Sequence, residues 1–381
     1  MLRTAGHPKL HALAGYSDID LTVLVPDEMI MYGGRRIAEA AENPAFRYVI
    51  GKARWQYLGK QIYLMHYRSD LARLLREIQP DVLDIWEEPW SLTSAQAIWL
   101  ARHISPQTRI VVETEQNIFK RLPPPFQQFQ NYSLRHAHYL VGRSQEALEV
   151  AQQKGYRGPA EVVGNAVDPT LFRPLDRAVC RRELGLEGFV AGYVGRMVES
   201  KGLGDMVEAL PLCPEEVRLL FVGDGPYRAV LERRAQQLSV SGRVRFLENR
   251  PREALPQLMN AIDVLTLVSH TTASWKEQFG RVIIEAHACR TPVIGSDSGA
   301  IPEVVGEGGL IVPERSPRAL AEAFCTLQAS PERCAELGER GYARALAHYT
   351  WEQVAGQMRQ VYQRVLHPAS APNAALEKEY R

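Results

Sequence analysis

The chain has 381 residues and a mass of 42.9 kDa, more than one hydrophobic core usually holds, so two or three domains of ~150 residues are expected. Apolar residues make up 45% and charged residues 23%, which excludes a mainly disordered chain, a collagen and a coiled coil. Lys+Arg 45 against Asp+Glu 44 leaves a formal charge of +1, too balanced for a protein whose task is coating nucleic acid.

No apolar run approaches the ~18–20 residues that span a bilayer. The first thirty residues include Arg3, Lys9, Asp18 and Asp20 and no apolar signal core, so the expected compartment is the cytoplasm. Cys180, Cys213, Cys289, Cys325 and Cys334 are odd in number and form no C-x-x-C pair. They are read as reduced, with neither a disulfide framework nor a zinc site.

In chain order, strand-like runs at 21–26, 82–86, 109–113, 139–141, 189–194, 217–222, 244–247, 264–268 and 292–295 alternate with helical patterns. The helical stretches include 7–14, 70–78, 145–154, 226–238, 317–327 and 351–366. Such alternation with β-branched strands predicts parallel sheets covered by helices on both faces. The strands are too many for one compact sheet, so the fold class is α/β with two doubly wound domains. The stretch 165–175, NAVDPTLFRPL, carries two prolines and turn-forming Asn and Asp and marks the boundary. A doubly wound domain normally opens with a strand and a glycine-rich turn. Only six residues precede the helical stretch at 7–14, so the first strand of the N-terminal domain is expected to be missing. After the helix at 351–366 the tail 368–381 is polar and expected to fray.

The segment 275–304, WKEQFGRVIIEAHACRTPVIGSDSGAIPEV, is the most informative. Gln278-Phe279-Gly280 reads as a turn into a helix beginning near Arg281, which aims the backbone N–H groups of 279–282 at one spot. That is an anion site suited to phosphate. Glu277 precedes the helix and Glu285 sits in its second turn. A carboxylate beside a phosphate site repels it, so the expected partners are hydroxyl groups of a sugar or ribose. At 195–202, GRMVESKG, Arg196 and Lys201 follow a strand and lie around a turn where two cations suit a diphosphate. Gly223-Asp224-Gly225-Pro226 is a third turn after a strand.

These motifs, in their order, resemble glycosyltransferase family 4, the retaining nucleotide-sugar enzymes of GT-B fold. VGR then KG (194–196, 201–202), VGDGP (222–226), the E-x7-E element from Glu277 to Glu285 and EAHACRTPVIGSDSGAIPEVV (285–305) carry the match. NAVDPTLFRP (165–174) is similar to the family's inter-domain segment. The resemblance is dense over 140–350 and thinner before it.

The resemblance implies a GT-B architecture of two Rossmann-like domains facing across a cleft. An acceptor domain would occupy 1–168 and a donor domain 169–348, with a helix crossing back and a polar tail over 349–381. Arg196 and Lys201 would hold the donor diphosphate, Glu277 the donor sugar's hydroxyls and Glu285 the ribose. The backbone of Gly195 and of Phe279, Gly280, Arg281 and Val282 would line the donor site, and the nucleobase would lie near Asn249 and Arg250. Where the family often has Pro this chain has Gln278, and where it usually has Gly this chain has Arg290.

On the acceptor side, WEEPW (86–90) and ETEQN (113–117) follow strands at their carboxyl ends. Glu88, Glu113, Glu115 and Asn117 are the candidates, and the proline-stiffened RLPPPF (121–126) would shape the acceptor mouth. The implied reaction is retaining transfer from a nucleotide-diphosphate sugar, UDP-sugar by default, to a sugar, lipid-linked or small-molecule hydroxyl. It proceeds on one face of the sugar without a metal or other cofactor. Two alternatives stay open: a GT-B epimerase or hydrolase of nucleotide sugars, and a non-catalytic nucleotide-sugar-binding protein.

Other features have simpler readings. Asp18-Ile19-Asp20 precedes a strand and is read as a polar turn, not a metal motif. His66, His103, His136 and His138 lack ligand spacing. Residues 44–69 contain Arg47, Lys52, Arg54, Lys60 and Arg68 and no acid, with Tyr48, Trp55, Tyr57, Tyr63 and Tyr67 interleaved. A solvated face over core aromatics is preferred, with peripheral docking on the inner face of a membrane or on a lipid-linked acceptor as the alternative.

Overall fold

A computed structural model describes residues 8–31, 34–39, 45–54 and 63–368. Lys60, Trp55 and Tyr57 of the basic stretch, and the tail from 369 on, lie outside the described residues. The chain divides into two compact units, one formed by Met1–Val163 with Val354–Arg381 and the other by Gly164–Gln353.

The second unit is built on six parallel strands. Their spatial order is Val244–Leu247, Val217–Val222, Phe189–Val194, Val264–Leu267, Val293–Ser296 and Gly309–Val312. Numbered within the unit this is 3-2-1-4-5-6, the doubly wound Rossmann order, with its switch point between Phe189–Val194 and Val264–Leu267. The strands are apolar on both faces because helices cover both: Val217, Leu219, Leu220, Phe221 and Val222 are all buried. Among those covers is the helix Arg281–Ala288, which buries Ile283, Ile284, Ala286 and Ala288 against the sheet side of the core.

The first unit carries four parallel strands in the order Ala160–Val162, Tyr139–Gly142, Arg109–Thr114 and Val82–Ile85. A separate parallel pair joins Thr22–Pro26 to Arg47–Gly51. Two antiparallel ribbons, Glu28–Met31 with Gly34–Ile37 and Ala53–Arg54 with His66–Tyr67, were not foreseen, because strands this short show no periodicity. The helix Trp351–Leu366 contributes its residues from Val354 onward to this unit. There Arg359 pairs with Asp18 at 2.8 Å, which accounts for the polar turn at 18–20, and the Tyr362 hydroxyl donates to Asp84 at 2.8 Å. Among the described residues no helix is long and apolar enough to cross a membrane.

Candidate functional site

The carboxyl ends of the two switch-point strands in the second unit bring together loops distant in sequence. After Phe189–Val194 the chain turns through Gly195, and the Tyr193 hydroxyl donates to the Arg196 carbonyl at 2.9 Å. Arg196 itself is exposed and has no carboxylate partner among the described residues. One short turn later Lys201 places its ammonium 2.7 Å from a Glu277 carboxylate oxygen and 4.4 Å from the centre of the Trp275 ring. Ser269, two residues past the end of Val264–Leu267, donates to the same Glu277 oxygen at 3.0 Å. Lys201 and Glu277, separate motifs in the sequence, are therefore one charged pair.

Backbone geometry sets how closely these loops approach. Gly202 has φ of +68°, and a Cβ there would stand 1.9 Å from the Val268 carbonyl. Only glycine lets the KG turn lie on the end of the neighbouring strand. The turn is further held by His270, whose amide donates to the Ser200 carbonyl at 2.7 Å and whose ring lies 2.7 Å from Asp205. Similarly, Gly223 would put a Cβ 2.0 Å from the Gly195 carbonyl, so the VGR and VGDGP turns meet backbone to backbone, joined by the bond from the Met197 amide to the Asp224 carbonyl at 2.8 Å.

Phe279 is buried, edge-on to Tyr349 with ring centres 5.7 Å apart, so only its backbone faces the loop. Gly280, at φ +79°, caps the helix Arg281–Ala288 without a side-chain hydrogen bond to its first amides. Those N–H groups remain available to an anion. Arg281 is exposed and Val282 half-buried. Glu285 lies one turn along, buried, 3.4 Å from Arg252. Burial pushes its carboxyl upward, and Arg252 and Arg281 oppose that push. Asn249 and Arg250 are exposed in the coil after Val244–Leu247. Arg290, in place of the expected glycine, has φ of +59°. A glycine there would suit the left-handed backbone; here Glu339 at 2.8 Å and the Tyr342 ring at 4.5 Å hold the arginine instead.

Sequence reasoning missed Ser269, His270, Trp275 and Arg252. The first two lie just past a strand end, which was a usable signal. Trp275 and Arg252 carry none, since their roles depend on which loop lies opposite.

The first unit has its own polar cluster. The parallel neighbours Val82–Ile85 and Arg109–Thr114 end side by side, so Glu88 reaches across. Its two oxygens accept from the Thr114 hydroxyl at 2.8 Å and the Glu115 amide at 2.7 Å. Burial lifts Glu88 to about 7, and burial together with Glu88 lifts Glu87 to about 7. Glu113 is buried between Lys9, at 3.0 Å, and Arg143. Burial pushes its carboxyl up, but Arg143 and Lys9 outweigh this and hold it below the usual range. Both Glu113 oxygens are thus engaged by cations. Glu115 is half exposed, 3.4 Å from Arg143. The Asn117 amide donates to Glu146 at 3.3 Å. Trp90 meets Phe126 edge-on at 6.2 Å, so the proline loop and the 86–90 cluster form one surface.

Residues 180–344 match the family model described as glycosyl transferases group 1. A D-inositol 3-phosphate glycosyltransferase of Segniliparus rotundus is 33% identical over 229 residues, 57% of this chain and 49% of that protein. An alpha-maltose-1-phosphate synthase of Mycolicibacterium smegmatis is 31% identical over 224 residues, 54% of this chain and 56% of that protein. The chain spans about half the length of these curated relatives. Among solved structures, Anabaena HepE in complex with UDP superposes with a TM-score of 0.69 at 22% identity, over 84% of this chain and 86% of that one. A sucrose-phosphate synthase from Thermosynechococcus elongatus gives 0.67 at 23% identity, over 95% and 92%. These likenesses show the GT-B fold that the motifs implied.

Proposed function

We propose that this chain, whose residues 180–344 match the family model for glycosyl transferases group 1 and which has a GT-B fold, transfers a hexose from a nucleotide-diphosphate sugar to a hydroxyl acceptor with retention of configuration. The observation that carries the reading is the Lys201–Glu277 pair at the switch point, next to an uncapped helix start. UDP is the proposed nucleotide, in keeping with the UDP complex of HepE. The relatives, a D-inositol 3-phosphate glycosyltransferase and an alpha-maltose-1-phosphate synthase, support a sugar-like acceptor.

In this reading Arg196 and Lys201 hold the diphosphate, Arg as a planar fork and Lys as a point charge. Amides at Phe279–Val282 hydrogen-bond the distal phosphate. Glu277, already oriented by Lys201 and Ser269, accepts from the donor sugar's hydroxyls, and Glu285 accepts from the ribose near Asn249 and Arg250. As the bond from the anomeric carbon to the phosphate oxygen breaks, negative charge grows on the leaving diphosphate, and these cations and amides stabilise it without a divalent ion. The acceptor oxygen bonds to the anomeric carbon on the same face, and its proton passes to the leaving phosphate oxygen. Glu88 and Glu115, with the surface at Trp90 and Phe126, orient the acceptor. Glu113 acts on them indirectly, by fixing Arg143. Cytoplasmic action belongs to the same proposal.

The test is a calorimetric titration with UDP, GDP and ADP, followed by product analysis with the sugar of the nucleotide that binds. Selective UDP binding and a new glycoside of retained configuration are expected. Release of free sugar with every acceptor tried would leave the hydrolase reading, and tight binding without turnover the binding-protein reading.

A further inference from the structure

A second polar site lies in the first unit, in the basic stretch that the transfer reaction does not use. The ribbon pairs Ala53 with Tyr67 and Arg54 with His66, and the Arg68 amide extends it by donating to the Lys52 carbonyl at 3.0 Å. Side chains alternate faces along a strand. Lys52, Arg54, His66 and Arg68 therefore share one face, while Tyr67 turns to the other and is buried in the core. Gln96, from the helix Leu92–Ile104, pins the ribbon by accepting from the Tyr67 amide at 2.9 Å and donating to its carbonyl at 2.6 Å.

The four basic residues, with Tyr67, Ser69 and Gln96, line a cavity of about 540 Å³, and none of the described residues lining it is a carboxylate. Two neighbouring acids bond the ribbon, and one of them also pairs with Lys52. Asp70 accepts from the Lys52 amide at 2.8 Å and from Arg73 at 3.1 Å. Asp27 accepts from the Ala53 amide at 3.1 Å and lies 3.7 Å from the Lys52 ammonium. Arg54 and Arg68 are exposed and have no ion-pair partner among the described residues. Two unpaired guanidinium forks on one face suit a ligand with several acceptor oxygens and a double negative charge. The volume leaves room for an organic group beyond the phosphate.

We infer that the cavity formed by Lys52, Arg54, His66 and Arg68 binds a phosphate monoester, held chiefly by Arg54 and Arg68. The inference goes beyond sugar transfer and does not depend on it. The phosphate can belong to a soluble molecule or to a lipid headgroup, and the test separates these sources.

The full chain is titrated with inorganic phosphate at low salt, where surface charge is least screened, alongside R54A/R68A and R54K/R68K. Vesicles of phosphatidylcholine with phosphatidic acid are pelleted with the same proteins. R54A/R68A is expected to weaken phosphate binding about tenfold or more and R54K/R68K less, with melting temperatures matched. Vesicle capture that R54A/R68A abolishes, without binding of inorganic phosphate, assigns the same site to a lipid headgroup. Equal binding of both probes by the wild-type chain and R54A/R68A, or no binding of either, overturns the inference. A parallel UDP titration reads the transferase proposal separately, since its outcome rests on the second unit.

Discussion

The Lys201 ammonium lies 2.7 Å from the Glu277 carboxylate although 76 residues separate them in the chain. The bond ties the loop after the first strand of the second unit's sheet to the loop after the fourth. Each residue is pre-set by the other; in the proposed reaction Lys201 is the cation for the diphosphate and Glu277 the acceptor for hydroxyl groups. Preorganised charge of this kind needs little rearrangement during reaction.

Replacing Lys201 by alanine removes that cation and leaves Glu277 in a half-dry site with Ser269 as its remaining named donor. Transferase turnover is expected to fall by about 10²–10³, as read by steady-state kinetics. A turnover within a factor of a few of wild type would remove Lys201 from the catalytic machinery.

If Glu285 accepts from the ribose as proposed, Glu285→Ala is expected to weaken nucleotide binding about tenfold or more. Calorimetry on the folded variant checks this, with Arg252→Ala as a companion. If Arg252 only neutralises Glu285, its loss changes affinity less than loss of Glu285 does.

Gly202→Ala puts a methyl 1.9 Å from the Val268 carbonyl on a left-handed backbone. The backbone strain alone costs about 1–3 kcal/mol, and the clash adds to it. A lower melting temperature and a loss of nucleotide affinity should appear together, because the same turn carries Lys201.

In the first unit, Arg143→Ala strands the buried Glu113 with Lys9 alone. Removing one partner of a buried pair costs about 3–5 kcal/mol, so denaturant unfolding should show a clear drop in midpoint. Arg143→Lys keeps the charge and should recover part of it.

Glu88 supplies a pH signature. Burial raises its carboxyl to about 7 in the folded chain, well above the ordinary glutamate value of about 4.5. The folded state therefore holds a proton that the unfolded state has released, and the associated stability is present below pH ~4.5 and lost as pH rises through about 7. Melting temperature should decline between pH 5 and 8, and Glu88→Gln should flatten that decline. An unchanged slope in the variant would show that Glu88 does not titrate in this range.

Much of this architecture was legible in the chain itself. The strands Phe189–Val194, Val217–Val222 and Val244–Leu247 and the helices Asp70–Ile78 and Trp351–Leu366 have the bounds that periodicity predicts, since each buries an apolar stripe or run. The ribbons at 28–37 and 53–67 escaped detection because pairing across a few residues leaves no period to read. The ring of His270 and the stacking face of Trp275 were invisible for another reason: their chemistry exists only once a distant loop is placed beside them.

By itself, then, the sequence determined the α/β class, the glycine-bearing turns after the strands and the helix starting at Arg281, because hydrophobic period and backbone freedom are local properties of a chain. Only the tertiary structure decided that Lys201 pairs with Glu277, that Glu113 is enclosed by Lys9 and Arg143, and that Arg54 and Arg68 share one face of a ribbon. Those facts depend on strand order and register, and an ion pair forms with whichever charge the fold brings within a few ångströms, whatever its place in the chain.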